Sequence, residues 1–245
     1  MKKVLITGAN KSIGFETARQ LLQKGYYVYL GSRDRNRGEE AVNKLKAEGL
    51  DNVETVEIDV SNPASVQSAY QSIASKTDQL DALINNAGIL GGMEQSAQTA
   101  SLEMFHEVFE TNFFGAINVT QTFLELLKKA DQPRIVNVTS GLGSITLHND
   151  PSWRYYQVKT AAYGPSKSAL NAYTTVLAYE LRDTKFKVNV VDPGYTATDF
   201  NHHSGHRSVA DAAADIVKFA TLDADGPNGQ FYSIENNPET GVSAW

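Results

Sequence analysis

KVLITGANKSIGFETARQLL, residues 3–22, is the stretch on which the rest of the chain depends. Val4, Leu5 and Ile6 form an unbroken apolar run, as a strand buried on both faces requires, and it leads into Thr7, Gly8 and a polar turn. A helix is predicted to follow at once, with Ile13, Ala18, Leu21 and Leu22 on one apolar side and Lys11, Glu16, Arg19 and Gln23 in water. Strand, glycine turn and helix start make an anion site, because the unpaired N–H groups of a helix N-terminus point at whatever occupies the turn. A pyrophosphate suits it. Gly8 and Gly14, with Ser12 between them, do not have the G-x-G-x-x-G spacing, and Asn10 stands where a P-loop needs glycine before its lysine. A lone turn of this kind also occurs with no ligand, so residues further along must decide.

Outward from this stretch, apolar runs and helical patterns alternate. Strands are expected at 26–30, 53–58, 80–84, 134–138 and 186–191, with 230–232 closing. Helices are expected at 35–48, after Asn62-Pro63, at 102–129, at 161–181 and at 208–222. Unbroken β-α-β-α order implies an α/β fold, a parallel sheet with helices on both faces. Ligands in such sheets lie beyond the carboxyl ends of the strands. The polar clusters fall there: Ser32-Arg33, Asp59, Asn85 to Gly88, Ser140, and Asp192 to Thr198 each follow a predicted strand.

Composition narrows the function. The chain has 245 residues, is 41% hydrophobic and shows no repeat, linker or low-complexity tract, so residues 1–245 are expected to form a single domain. A net charge of −6 without any run of Lys or Arg argues against nucleic-acid and membrane-surface partners. Cysteine is absent, which removes disulfides, thiolate zinc sites and thiol catalysis, and fits a cytoplasmic location. Lys2-Lys3 precedes only three apolar residues, too few for a signal peptide, and no stretch is long enough to span a bilayer.

Tyr163 and Lys167 stand four apart, on one face of a helix. An unperturbed phenol has a pKa near ~10, and an adjacent ammonium favours the phenolate, so the pair suits proton exchange; the same spacing also occurs as solvated helix decoration. The wider pattern is TGANKSIG at the first turn, Asp59, NNAG at 85–88, Asn112 in TNFFG, Ser140 in IVNVTS, YGPSK at 163–167 and PGYTAT from Pro193. In order and position it resembles the short-chain dehydrogenase/reductase family, closest to its NADPH-dependent carbonyl-reductase-like branch. Ser12 departs from that family's middle glycine.

The resemblance implies a Rossmann-type doubly wound sheet and a tetrad of Asn112, Ser140, Tyr163 and Lys167. In the family the serine holds the substrate oxygen, the tyrosine exchanges the proton, the lysine grips the nicotinamide ribose, and the asparagine helps hold a relay water. It also implies a cofactor site running from Gly8, Asn10, Lys11, Ser12, Ile13 and Gly14 to Arg33, Asp59 and Val60. That site continues through Asn86, Ala87 and Gly88, and through Pro193, Gly194, Thr196 and Thr198, with Tyr163 and Lys167 shared. The activity implied is hydride transfer between nicotinamide and a ketone, aldehyde or secondary alcohol. The alternative is a catalytically idle NADP(H)-binding regulator of the same fold.

Cofactor choice turns on the end of the second strand. Asp34 lies twenty residues beyond Gly14, where an acid ordinarily takes the ribose 2′-OH of NAD. The strand-ending position, however, is Ser32, with Arg33 next and Lys11 nearby, which leaves room and positive charge for a 2′-phosphate. NADP(H) is the expected cofactor. Leu142 and Tyr195, with Ser140 and Tyr163, are the expected substrate contacts, and Leu90 and Met93 are further wall candidates. The 22 residues between Ser140 and Tyr163 include Trp153, Tyr155 and Tyr156. They either wall a pocket for a flat or apolar carbonyl compound or pack on the surface or in a subunit contact. Residues 200–207 are read as a short polar lid, and His202, His203 and His206 within it as no metal site. Monomer and homo-oligomer both remain open.

Overall fold

The computed structural model describes every residue of the chain except Met93, so the wall expectation for Met93 lies outside the described residues. Seven strands form one parallel sheet in the order β3-β2-β1-β4-β5-β6-β7. They are β1 (Lys3–Ile6), β2 (Tyr27–Ser32), β3 (Val53–Glu57), β4 (Ala82–Asn85), β5 (Arg134–Val138), β6 (Lys187–Val191) and β7 (Phe231–Tyr232). Alternate residues of each strand serve opposite faces. Val4, Ile6, Val28, Leu30 and Ile84 pack beneath α1 (Ser12–Gln23), α2 (Arg35–Ala47) and α8 (Val209–Ala220). Leu5, Tyr29, Val56, Leu83 and Ile135 pack beneath α3 (Pro63–Ala74), α5 (Gly115–Leu127) and α7 (Tyr163–Glu180). Burial on both faces explains why these strands are apolar throughout.

Local chemistry sets the helix starts. Asn62 caps α3 ahead of Pro63, and Ser208 caps α8. Asp34 caps α2, its carboxylate accepting from Arg37 N at 3.0 Å. The residue at the spacing of a ribose acid is thus a capping residue.

The helical region expected over 102–129 is present, but not as one regular α-helix. Here α4 (Leu102–Phe109) passes through a π-helical turn, Glu110–Phe114, before α5 begins. The wide turn carries Asn112, 1% exposed, and such turns concentrate at functional sites. Between β5 and α7 stand a 3₁₀ turn (Gly141–Gly143) and the short α6 (Ile145–His148), which the apolar pattern did not mark. Trp245 packs its ring 5.5 Å from that of Phe231, and its carbonyl accepts from Thr146 N. No helix among the described residues is long and apolar enough to cross a membrane.

Candidate active site

The strand order reverses at β1, whose neighbours are β2 and β4, and the crevice above that reversal is where such sheets hold ligands. The two loops there are laced together. Thr7 N donates to Ile84 O, Asn86 Nδ2 donates to the carbonyls of Thr7 (2.9 Å) and Gly8 (3.0 Å), and Ala87 N donates to Thr7 Oγ1. Both glycines are required. Gly8 has φ +63° and a Cβ there would lie 2.9 Å from Ala87 Cα; one on Gly14 would lie 2.5 Å from Asn86 Nδ2. Lys11 at the N-cap of α1 makes no capping bond with its side chain, so the helix N-terminus stays available to an anion. Ser12 has φ +55°, the left-handed region that favours glycine.

A cleft of about 1050 Å³ follows the strand ends and is lined by the predicted residues of the turn (Gly8, Asn10, Lys11, Ser12, Ile13, Gly14), by Asp59 and Val60, and by Asn86, Ala87 and Gly88. Pro193, Gly194, Thr196 and Thr198 line it from beyond β6. Ser140, Tyr163 and Lys167 face the same cleft. Ser140 ends the coil after β5; its Oγ accepts from Leu142 N at 3.2 Å. Tyr163 is the first residue of α7, and Lys167 Nζ lies 5.9 Å from its ring centroid. That Nζ donates to Val138 O at 2.8 Å.

The expected electrostatics of the Tyr163–Lys167 pair need correcting. Burial pushes the Tyr163 phenol up, and the opposing influence of the nearby Ser140 side chain is outweighed. Lys167 is lowered to about 8 by the same desolvation, against the attraction of Asp192. Part of Tyr163 still lines the open cleft, yet its surroundings are dry enough for desolvation to win. Asn112 Oδ1 accepts from Ile89 N (2.8 Å), and Nδ2 donates to Ile89 O (2.9 Å) and Ser166 Oγ (3.1 Å). Its amide therefore fixes the loop after β4. A Cβ on Gly88 would sit 3.3 Å from Asn112 Oδ1 and 3.5 Å from Lys167 Nζ, so these two side chains converge at Gly88.

At the far end of the cleft, Ser32 is buried and its Oγ donates to Asp34 O, while Arg33 stands exposed at the mouth. Lys11 pairs with Asp199 at 3.1 Å, both side chains more than half exposed, tying the glycine turn to the segment after β6. On the substrate side, Leu90, Leu142, Tyr155, Val158, Tyr195 and Phe200 line the space around Tyr163. The Phe200 ring lies 5.5 Å from that of Tyr163, and Tyr155 meets Tyr195 at 6.4 Å. Of the two readings of the aromatic stretch before Tyr163, the pocket wall holds for Tyr155; Trp153 sits behind it against His148. His148 Nε2 donates to Leu142 O at 2.9 Å, and Lys159 Nζ donates to its Nδ1, the pattern of a neutral ring whose pKa burial lowers.

Four residues escaped the sequence reading, and a fifth, Asp192, was marked only as the start of the polar cluster after β6. Arg37, in the first turn of α2, lines the cleft as Arg33 does; a second cation at i+4 was a usable signal. Asp192 is buried, accepting from Gly194 N (2.9 Å) and Ser233 Oγ (2.6 Å), and burial raises its pKa. Gln95 Oε1 accepts from both Ala162 N and Tyr163 N at 3.0 Å, while Nε2 donates to Leu90 O and Gly92 O. Glu235 and Asn236 enter the cleft from beyond β7. Gln95, Glu235 and Asn236 are distant in sequence from what they hold, and nothing local announces them.

Comparison with known proteins bears on the same architecture. The family model described as short chain dehydrogenase matches residues 2–208. The (+)-neomenthol dehydrogenase of Capsicum annuum is 33% identical over 93% of this chain and 94% of its own length. The solved structure of salutaridine reductase from Papaver somniferum superposes with a TM-score of 0.84 at 30% identity, covering 95% of this chain and all of that one. That of NADPH-bound carbonyl reductase from chicken fatty liver gives 0.85 at 29% identity, covering 100% and 99%. The chain belongs to the short-chain dehydrogenase family. Its relatives include both dehydrogenases and reductases acting on alcohol and carbonyl groups.

Proposed function

We propose that this protein is an NADPH-dependent reductase of ketones or aldehydes. The observation that carries the reading is one cleft holding a glycine cradle at the sheet's reversal point together with Ser140, Tyr163 and Lys167. The cradle suits a dinucleotide: Gly8 and Gly14 let the turn close against Ala87 and Asn86, where a Cβ would collide, and the α1 N-terminus, without a side-chain cap, is free to meet diphosphate. Arg33 and Arg37 would take a 2′-phosphate, with Ser32 leaving space beneath it. Nicotinamide, when bound, supplies the hydride.

The chain's own part is to receive the charge that develops on the carbonyl oxygen. The Ser140 and Tyr163 side chains line the same cleft, so both would donate to that oxygen, stabilising the alkoxide-like state more than the ketone. Tyr163, kept protonated by burial, would then deliver its proton. Lys167 would hold the ribose and steady the phenolate left behind, while Asn112 keeps the floor of the site at Gly88 in place. The aromatic wall of Tyr155, Tyr195 and Phe200 favours a flat or apolar carbonyl compound.

The test follows nicotinamide absorbance with NADPH and a panel of aromatic, quinone and aliphatic carbonyls. Wild-type protein is expected to turn over at least one aromatic member, and Tyr163→Phe to lose about a hundredfold or more, ~3 kcal/mol of barrier, with NADPH binding kept. Turnover of the variant within about threefold of wild type, under ~1 kcal/mol, rejects Tyr163 as the acid.

A further inference from the structure

Glu235 has no part in the proton or hydride chemistry, yet its surroundings are unusual. Its side chain is only 4% exposed, in the wall of the cleft, and it is contacted from two other segments of the chain. From residues 149–162, Arg154 Nη1 approaches Oε1 at 3.0 Å and the Tyr155 hydroxyl donates to the same oxygen. From the segment after β6, His206 Nε2 lies 3.0 Å from Oε1, and Tyr195 N donates to Oε2 at 3.3 Å. Gly194 presses against it as well, for a Cβ there would fall 2.7 Å from Oε2. Asp192 is a like charge close enough to be felt, so the carboxylate depends on these donors rather than on water.

The two groups that Glu235 joins carry Tyr155 and Tyr195, the rings that meet edge to face in the substrate half of the cleft. We propose that Glu235 is a positioning residue that sets substrate specificity: it fastens the 149–162 segment to the segment after β6, so that Tyr155 and Tyr195 form one rigid wall against flat, multi-ring ketones. This rests on the carbonyl-reductase reading above. With Glu235 intact, the ordering of both rings is already present before substrate arrives, and a large apolar face gains most from it. A small carbonyl that reaches only Ser140 and Tyr163 gains little.

The experiment compares wild type, Glu235→Gln and Arg154→Met on 2-acetylnaphthalene and butane-2,3-dione with NADPH, and follows amide hydrogen exchange of both segments. Arg154 is largely exposed, so its replacement keeps the question answerable if Glu235→Gln fails to fold. Exchange is expected to quicken together in 153–158 and at Tyr195. KM for the naphthyl ketone should rise about tenfold or more, with kcat for the dione falling by less than about threefold and NADPH affinity held. Exchange unchanged, or quickened in one segment alone, overturns the fastening; equal KM changes for the two ketones overturn the specificity role. Wild-type protein that reduces neither compound but turns over another member of the panel overturns the specificity role alone, no turnover of any member overturns the parent reading with it, and in either case the exchange result judges the fastening by itself.

Discussion

Tyr163 is half-buried beside the buried Lys167, and desolvation drives each toward its neutral form, the phenol up and the ammonium down to about 8. The sign of the Lys167 contribution follows. Its folded-state pKa lies below the unfolded value of 10.5, so the stability tied to it is complete above 10.5 and lost as pH falls through 8. Lys167→Met removes that dependence. The stability of wild type relative to the variant is expected to rise by about 3 kcal/mol between pH 7.5 and 10.5, measured by urea unfolding, whatever the loss of the Val138 hydrogen bond does to the baseline. A flat difference would show Lys167 to be solvated or fully compensated by Asp192. Ser12 poses a second question at this scale, since a left-handed serine costs about 1 kcal/mol and glycine relieves it. Ser12→Gly should raise stability by about 0.5–1 kcal/mol and move NADPH affinity by less than about a hundredfold, ~3 kcal/mol. A larger gain in affinity would mark the turn as impaired and favour an idle, cofactor-sensing protein.

The helix that presents the tyrosine and lysine starts without a capping side chain of its own, because Ala162 has none to offer. Gln95 fills that role from 68 positions away, taking two N–H groups on one oxygen while its amide nitrogen grips the loop after β4. Gln95→Ala leaves both donors unpaired in a buried place, so it should cost about 1–3 kcal/mol of stability. It should also lower kcat about tenfold with NADPH affinity little changed, since Tyr163 is the first residue to loosen. Unchanged kcat in a destabilised variant would make Gln95 a purely structural cap. This helix was legible in the sequence, as were β1, the glycine turn and β5, since each is announced by neighbours a few residues away. The π turn at Asn112 was not, for an extra residue in a turn leaves the apolar period almost intact while moving one side chain inward. Nor was the direction of the Tyr163 shift, because spacing reports that a cation is near and says nothing of how much water has left.

At the scale of the molecule, the cleft draws on both sides of the strand reversal: the β1 and β2 ends on one side, the β4, β5 and β6 ends on the other. That spread was readable as polar clusters following each apolar run, whereas the fastening of residues 149–162 by Glu235 was not, being made by contacts across 80 positions. A ligand lying along such a cleft binds the folded chain alone, so it stabilises by about 2.7 kcal/mol at a hundred times its Kd. For a chain of this size that is a rise in Tm of about 5–11 °C. The part owed to the 2′-phosphate rests on Arg33 and Arg37, both exposed at the mouth, Arg37 in a loose, solvent-exposed pair with Asp34 at 3.7 Å. At equal concentration NADPH should therefore shift Tm well beyond NADH. Arg33→Asp should abolish most of that gap by removing one charge-assisted hydrogen-bond partner, about 1.5–3 kcal/mol, and placing a carboxylate against the phosphate. Raised salt should narrow the gap in wild type and leave the NADH shift nearly as it was, because only the exposed phosphate contact is screened. Equal shifts from the two cofactors would remove the 2′-phosphate reading while leaving the glycine cradle, and the fold that builds it, as they stand.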